Sequence, residues 1–185
     1  MCVVEAAAEE AAVIRFLRTH PQAGRAGRDH PALQGCAEAS WARIPGCPAG
    51  IPALFQGLLD PAVGPEALRL LGNVLLDGVF HLGAAMPTAL PFLIRLAADP
   101  GIAVRSGLVD LVVVAAELSR PVDADDARAV LLFGDDGDHP ERERCRAVFV
   151  EQASALRALL DDETLPDGLI GADDRDRLRD AMTPR

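Results

Sequence analysis

The residues of this sequence that could perform acid–base or metal chemistry are concentrated in segment 69–81. Four polar residues follow one another there at intervals of four: Arg69, Asn73, Asp77 and His81. On an α-helix this spacing places the side chains near one face, so Asp77 and His81 could form a pair. Such a pair could supply two metal ligands, or an acid and a base in a small pocket. The alternative is a solvated polar face without chemistry.

No catalytic motif accompanies this segment. The sequence lacks a nucleophile elbow, a P-loop, a dinucleotide fingerprint and an HExxH motif. The aspartates of segment 134–140 are not at EF-hand spacing, which favours a solvated turn over a cation site. Neither CxxC spacing nor zinc-finger histidines accompany the cysteines, which are Cys2, Cys36, Cys47 and Cys145. We therefore expect reduced thiols, no metal, no cofactor and no enzymatic activity.

The charge of the chain is strongly acidic and unevenly distributed. The net charge is −10, and residues 121–185 contain 17 of the 28 acidic residues but only 9 of the 18 arginines. An acidic surface repels phosphate backbones, which disfavours nucleic-acid binding, and attracts a partner protein with a basic surface. All the positive charge is arginine, which together with the alanine and glycine content is typical of a GC-rich bacterial genome.

The sequence favours a cytoplasmic protein. Its first residues include Glu5, Glu9 and Glu10 where a secretory signal would be basic. No apolar run is long enough to span a membrane, and the cysteine pattern does not indicate a disulfide framework.

Hydrophobic periodicity and the positions of the prolines predict a single all-α domain, 1–185, of seven or eight helices. We expect a long irregular loop at 19–50, an acidic insertion at 121–140 and a charged terminal capping helix at 173–182. The other helices are predicted at 3–18, 52–60, 65–81, 87–98, 101–119, 141–160 and in a short segment ending near Leu132.

An internal repeat indicates how these helices are arranged. Segments 51–61 and 90–100 both contain an apolar residue followed by proline, a short apolar stretch and Asp-Pro, at an offset of 39 residues. A degraded third copy, 156–161, places Asp161 at an offset of 62 from Asp99. A period near 40 built from helix pairs predicts an α-solenoid of the HEAT or armadillo kind.

The chain also resembles a family. Trp41, the proline-started helix at 52–60, the segment 71–83 and the Ala-Leu-Pro-Phe-Leu of 89–93 resemble the HEAT-repeat-like proteins common in actinomycetes. The resemblance covers residues 41–119. It implies an all-α solenoid of about three helical-hairpin repeats, with one helix ending in the His-x-Gly turn at His81. Related helical-repeat proteins serve as interaction modules, and some are thought to be immunity partners of bacterial toxins.

The repeat also predicts residues that contact a partner. Gln56, Arg95 and Arg157 occupy the same repeat position, and a position kept polar three times could line the concave wall of a solenoid. The alternative is an ordinary solvent-exposed stripe. Trp41 is either an aromatic anchor for a partner or a pin that holds the 19–50 loop against the first repeat. Further candidates for partner contact lie on the polar ladder, at Asn73, Asp77 and His81.

Two functional hypotheses follow. The first is a non-enzymatic protein–protein interaction module that binds a basic partner through its concave face or its acidic C-terminal third. An immunity protein that neutralises a basic toxin is one specific version. The second is a small-molecule-binding or catalytic protein with a pocket lined by Asp77, His81 and the 19–50 loop. An open groove would favour the first hypothesis, and a deep pocket at these residues would favour the second.

Overall fold

The computed structural model describes residues 3–23, 27, 29–166 and 168–184, with side chains from residue 6 onward. This part of the chain contains nine α-helices and no β-strand, which confirms the all-α prediction. The helices are α1 (Val3–Thr19), α2 (Ile51–Gly57), α3 (Gly64–Leu75), α4 (Met86–Ala97), α5 (Arg105–Leu118), α6 (Ala127–Phe133), α7 (Pro140–Glu151), α8 (Ala153–Leu160) and α9 (Ala172–Ala181).

Proline starts several of these helices, as the sequence predicts. Pro52, Pro65, Pro87 and Pro140 lie in the first turns of α2, α3, α4 and α7. The missing N–H of proline costs little there, because the first N–H groups of a helix have no partner within it. Pro91 is different, since it lies inside α4 rather than at its start.

Three helices end in the same turn. After α2, α4 and α8 an aspartate side chain accepts a hydrogen bond from the backbone N–H two residues further on, in the pairs Asp60–Ala62 (2.9 Å), Asp99–Gly101 (2.8 Å) and Asp162–Thr164 (2.8 Å). Aspartate favours such turns because its short carboxylate can replace a backbone acceptor. The third aspartate is Asp162 and not the predicted Asp161, so the offset from Asp99 is 63 residues rather than 62.

Helix α4 lies at the centre of the core. It packs against α5, α7, α8 and the short 3-10 helix Pro31–Leu33. Eight of its twelve residues are buried, as expected for a helix that is apolar around most of its circumference. Within the described residues, none of the helices combines the length and apolarity needed to cross a membrane.

The predicted helix 65–81 is wrong at its C-terminal end. Helix α3 stops at Leu75, and Leu76 then pairs with Leu82 in an isolated antiparallel bridge. The turn between them contains Gly78 at φ +78°, a backbone conformation that favours glycine. Gly83 closes the turn against α3, where a Cβ would lie 2.8 Å from the carbonyl oxygen of Val74. We call residues 76–82 the hairpin.

Two other predicted segments also differ from the structure. The predicted helix 141–160 is two helices, because α7 ends at Glu151 and α8 begins at Ala153. This break brings the number of helices to nine. The irregular segment 19–50 contains two 3-10 helices, Pro31–Leu33 and Trp41–Arg43. Several of its side chains are buried in the core, among them Ala23, Leu33, Cys36 and Trp41.

The turn that Asp162 forms after α8 is connected to the core through Arg105. This buried side chain donates from Nε to the carbonyl oxygen of Ala97 at 2.7 Å and from a terminal nitrogen to Thr164 Oγ1 at 2.9 Å. Its other terminal nitrogen forms an ion pair with Asp162. The hydrogen bonds from Thr164, followed by the one from Arg105, lower the pKa of Asp162 to about 2.

We expect this carboxylate to make folding sensitive to acid. The pKa of Asp162 is lower in the folded chain than the value of about 3.9 usual in an unfolded chain. Its stabilisation is therefore complete above about pH 5 and is lost as the pH falls towards 2. The urea concentration at the midpoint of unfolding should fall as the pH is lowered from about 6 to 2. This fall should be less steep in Asp162→Asn than in the wild type. The exposed neighbour provides the control, because Asp161→Asn should reproduce the wild-type slope.

Candidate functional site

Helix α6 exposes two leucines, and only its last residue, Phe133, packs against the core. Its sequence is Ala-Arg-Ala-Val-Leu-Leu-Phe, and none of its residues is buried. Leu131 is 84% exposed and Leu132 is 38% exposed. A helix this short is normally stabilised by packing an apolar face against the protein. The structure therefore raises the question of what holds α6 in place.

Polar groups hold α6 at both ends. At its N-terminus, the Asp126 side chain accepts hydrogen bonds of 3.0 Å from the N–H groups of Arg128 and Ala129. This is an ordinary N-cap, and the sequence predicts one from the aspartates before the helix. At its C-terminus, Gly134 turns the chain with φ +74°. The carbonyl oxygens of Phe133 and Gly134 then accept hydrogen bonds from the guanidinium group of Arg142 on α7.

Arg142 is the most unusual residue of this region. It is only 1% exposed, and it also contacts Asp136 Oδ1 at 3.0 Å. The other carboxylate oxygen of Asp136 lies 3.4 Å from Arg146. A buried guanidinium is costly unless it is paired and hydrogen-bonded. Both terminal nitrogens of Arg142 are, whereas its buried Nε has no hydrogen-bond partner within the described residues. Sequence reasoning missed it, because in the charged run Glu-Arg-Glu-Arg of 141–144 nothing distinguishes a buried arginine from an exposed one.

The hairpin packs its aromatic residues against the acidic insertion. Phe80 meets Phe133 edge-on with ring centroids 5.7 Å apart, and His81 stacks on His139 at 4.8 Å. His139 is in turn paired with Glu141, at 2.9 Å. Apolar surface remains exposed beside these contacts, since Val79 is 80% exposed and Phe80 is 42% exposed. We call the exposed side chains of this region the apolar patch: Val79, Phe80, Leu131 and Leu132.

The predicted polar ladder is divided between two elements. Arg69 and Asn73 lie exposed on α3, whereas Asp77 and His81 lie in the hairpin beyond its end. Asp77 and His81 still meet, but through the backbone, because the Asp77 N–H donates to the His81 carbonyl oxygen at 2.9 Å. The His81 ring also stacks on that of His139, a contact that the sequence does not predict.

Gln56 and Arg95 lie on either side of one loop segment. Gln56 lines a cavity of about 1030 Å³ with residues of segment 29–38, and Arg95 lines a neighbouring one of about 460 Å³ with His30 and Pro31. Arg95 also donates to the carbonyl oxygen of Gln34 at 3.3 Å and lies 4.9 Å from the ring centroid of Phe92. The described contacts of Arg95 therefore attach the loop to α4.

Arg157 does not share the position of Gln56 and Arg95 once the turns are superposed. Both Gln56 and Arg95 lie four residues before their turn-forming aspartates, Asp60 and Asp99. Counting back four residues from Asp162 gives Ala158. Arg157 is exposed on α8, one residue out of register. The prediction that Gln56, Arg95 and Arg157 share one repeat position used the offset of 62 residues between Asp99 and Asp161. With the offset of 63 residues the shared position is polar only twice.

Trp41 lies in the core rather than on the surface. It is 4% exposed and donates from its indole N–H to the carbonyl oxygen of Cys36 at 2.7 Å. Its ring centroid lies 6.0 Å from that of Phe55 on α2 and 6.1 Å from that of Phe92 on α4. This position agrees with the alternative in which Trp41 pins the loop. It leaves little surface for a partner to contact, so we do not include Trp41 in a binding surface.

Neither Asp77 nor His81 lines the three cavities of about 770, 1030 and 460 Å³ that the described residues form. The described part of the chain also contains no group of three or more histidine, cysteine, aspartate or glutamate residues placed to hold a metal ion. His139 pairs with Glu141 beside the His81 ring, but acid–base catalysis also requires a cavity that holds a substrate.

The described thiols are free and protonated at neutral pH. Burial raises the pKa of Cys36 to about 12 and that of Cys47 to about 11, and it raises the pKa of Cys145 still further. The thiolate is the reactive form of cysteine, so these residues are poorly suited to nucleophilic catalysis. Cys2 lies outside the described residues.

We therefore expect slow alkylation of the native protein. With iodoacetamide at neutral pH, Cys36 and Cys145 should remain unmodified while the chain is folded and should react after unfolding in urea. Peptide mass spectrometry resolves each site, and the half-buried Cys47 serves as an internal comparison. Native labelling of Cys145 as fast as that of a free thiol would contradict the burial described here.

Comparisons with known proteins do not identify the family of this chain. The resemblance to HEAT-repeat-like proteins therefore rests on the residues quoted for it and stays a prediction. Searches against protein-family models, curated proteins and solved structures gave no match to this chain.

Proposed function

We propose that this protein is a non-enzymatic protein–protein interaction module and that the apolar patch is its main contact surface. The observation that carries the proposal is that α6 buries none of its residues and exposes two leucines. Clusters of exposed apolar side chains are typical of protein–protein contact sites. The rigid attachment of α6 by its caps and by Arg142 keeps this surface formed before a partner arrives.

The charge around the patch determines the chemistry of the partner. Residues 121–140 contain six aspartates and one arginine, a net charge of −5. A second copy of the chain would bring the same negative charge to the same place, which disfavours self-association through the patch. A protein with apolar side chains surrounded by lysine or arginine would complement both the patch and its surroundings.

This proposal includes the more specific predictions from the sequence. We propose a HEAT-like solenoid of helical hairpins in a bacterial cytoplasmic protein. The contacts of α3 with α5, of α5 with α9 and of α4 with α8 support it, since stacked hairpins make contacts between corresponding helices. An immunity protein for a basic toxin is one version of the proposal. The alternative hypothesis, a small-molecule-binding or catalytic protein, stays a prediction. Neither Asp77 nor His81 lines a cavity described above.

Affinity purification from the source organism tests the proposal when it compares variants. Wild-type protein should retain a basic protein in stoichiometric amount, identified by mass spectrometry, and release it as the salt concentration rises above about 0.15 M. The double variant Val79→Ser with Leu131→Ser should lose this protein. Both side chains are largely exposed, so the variant should keep the wild-type circular dichroism and melting temperature.

Ile14→Ser provides the matched control, because Ile14 is an exposed apolar residue on α1, outside the patch. It should retain the partner as the wild type does. Equal retention by the patch variant and the wild type would contradict the proposed surface. A wild-type dimer that becomes monomeric in the patch variant, with no other protein retained, would identify a second copy as the occupant and contradict the basic partner.

A further inference from the structure

A groove separate from the apolar patch lies between α5, α7 and α9. Its volume is about 770 Å³, and small or apolar side chains from all three helices contribute to its wall: Ala116, Ala147, Val150 and Ala181. Two contacts connect the helices around it. Arg177 pairs with Glu117 at 2.9 Å, and Arg146 donates to the carbonyl oxygen of Ser119 at 2.7 Å. We call it the α9 groove.

The α9 groove carries unbalanced negative charge. Five carboxylates and three arginines line it. Arg146 and Arg177 are already engaged, with Asp136 and with Glu117 and Asp174, respectively. Within the described residues, Glu143, Glu151 and Asp180 form no ion pair. These three carboxylates can therefore pair with a cationic ligand that also contacts the apolar wall of the groove.

We propose that the α9 groove binds a basic amphipathic helix of a partner protein. Alanine at the contact lets two helix axes approach closely, towards the lower end of the 8–10 Å range of packed helices. Apolar side chains of the bound helix would lie against Ala116, Ala147 and Val150. Its lysine or arginine side chains would reach Glu143 and Glu151, an arrangement known from helix-in-groove recognition. This surface goes beyond the apolar patch and does not depend on it.

A synthetic peptide tests the inference without knowledge of the natural partner. The probe is a fluorescein-labelled, capped helix of about 15 residues with leucine and alanine on one face and lysine on the other. Fluorescence anisotropy at about 0.15 M salt should show saturable binding to the wild type. A peptide of the same composition, scrambled to remove the apolar face, should bind at least about tenfold more weakly.

Variants of the protein locate the binding. Ala147 is exposed on the groove wall, so Ala147→Trp should block the groove without disturbing the core. The pair Glu143→Gln with Glu151→Gln should remove the attraction. Each should weaken peptide binding by at least about tenfold. The matched controls Ala158→Trp and Asp161→Asn with Glu163→Gln alter exposed residues outside the groove and should bind the peptide as the wild type does.

The remaining outcomes overturn the inference. No saturable binding, or equal binding of the scrambled peptide, would show that the groove does not recognise an amphipathic helix. Equal losses in the groove and control variants would indicate non-specific attraction to an acidic protein. Loss of binding in Val79→Ser with Leu131→Ser would place the peptide on the apolar patch. If Val79→Ser with Leu131→Ser binds the peptide and also retains the natural partner, the proposal that the apolar patch contacts the partner is wrong. The proposal that the α9 groove binds a helix is then unaffected.

Discussion

Trp41→Ala is expected to lower the free energy of unfolding by about 3–5 kcal/mol, as removal of a fully packed tryptophan usually does. The indole touches both Phe55 and Phe92, so its loss opens a cavity between α2, α4 and the irregular segment. Urea denaturation followed by far-ultraviolet circular dichroism measures the change, because fluorescence is lost with the only tryptophan.

Trp41→Phe separates packing from hydrogen bonding. It keeps an aromatic ring but removes the indole N–H that donates to the Cys36 carbonyl oxygen at 2.7 Å. Its effect should be smaller, about 1–3 kcal/mol, the range for leaving one buried acceptor without a partner. Wild-type stability of the alanine variant, together with weaker partner binding, would instead support a direct role of Trp41 in recognition.

The second large effect is expected at Arg142. Arg142→Met should destabilise the protein by about 3 kcal/mol, because it leaves the carbonyl oxygens of Phe133 and Gly134 without this donor. It also removes one of the arginines paired with Asp136, which keeps only Arg146. Hydrogen exchange should show the loss locally, with faster exchange of the α6 amides than in the wild type. Partner binding through the apolar patch should weaken in the same variant, since α6 is no longer held.

Arg144→Met is the control for this experiment. Arg144 lies on the same helix but is exposed, so its replacement should change stability by no more than about 0.5 kcal/mol. Equal destabilisation by the two variants would mean that the loss of charge on α7, rather than the contacts of Arg142, matters. Unchanged exchange in α6 of Arg142→Met would show that the guanidinium does not hold this helix.

The sequence predicts the helices where a single residue type determines a boundary. Proline in the first turn locates α2, α3, α4 and α7, and the aspartates before α6 predict its N-cap. These signals are local, since they depend on the backbone conformation of one residue and its neighbours. The same is true of the aspartate turns after α2 and α4, which made the repeat visible.

The errors arise where structure depends on distant contacts. The pattern of leucines in 65–82 continues the helical period, but Gly78 and the close packing of Gly83 against Val74 turn the chain back. Two adjacent aspartates, Asp161 and Asp162, left the third repeat uncertain by one residue, and only the hydrogen bond to Thr164 decides the register. A shift of one residue was enough to group Arg157 wrongly with Gln56 and Arg95.

The candidate surfaces were predictable only in outline. The acidic C-terminal third and segment 121–140 were identified from charge, and both the apolar patch and the α9 groove involve them. The particular residues were not, because Val79, Phe80 and Leu131 read as ordinary core positions in the sequence. Whether a leucine is buried depends on which helices pack over it, and that is decided by the whole chain.

The burial of Trp41 has a spectroscopic consequence. Since this is the only tryptophan, the intrinsic emission of the protein reports one place, where segment 31–43 meets α2 and α4. Circular dichroism reports all the helices together. If the chain unfolds cooperatively, the two signals change at the same urea concentration, as two-state behaviour requires. A separation between them would reveal a part of the chain that unfolds independently of the rest.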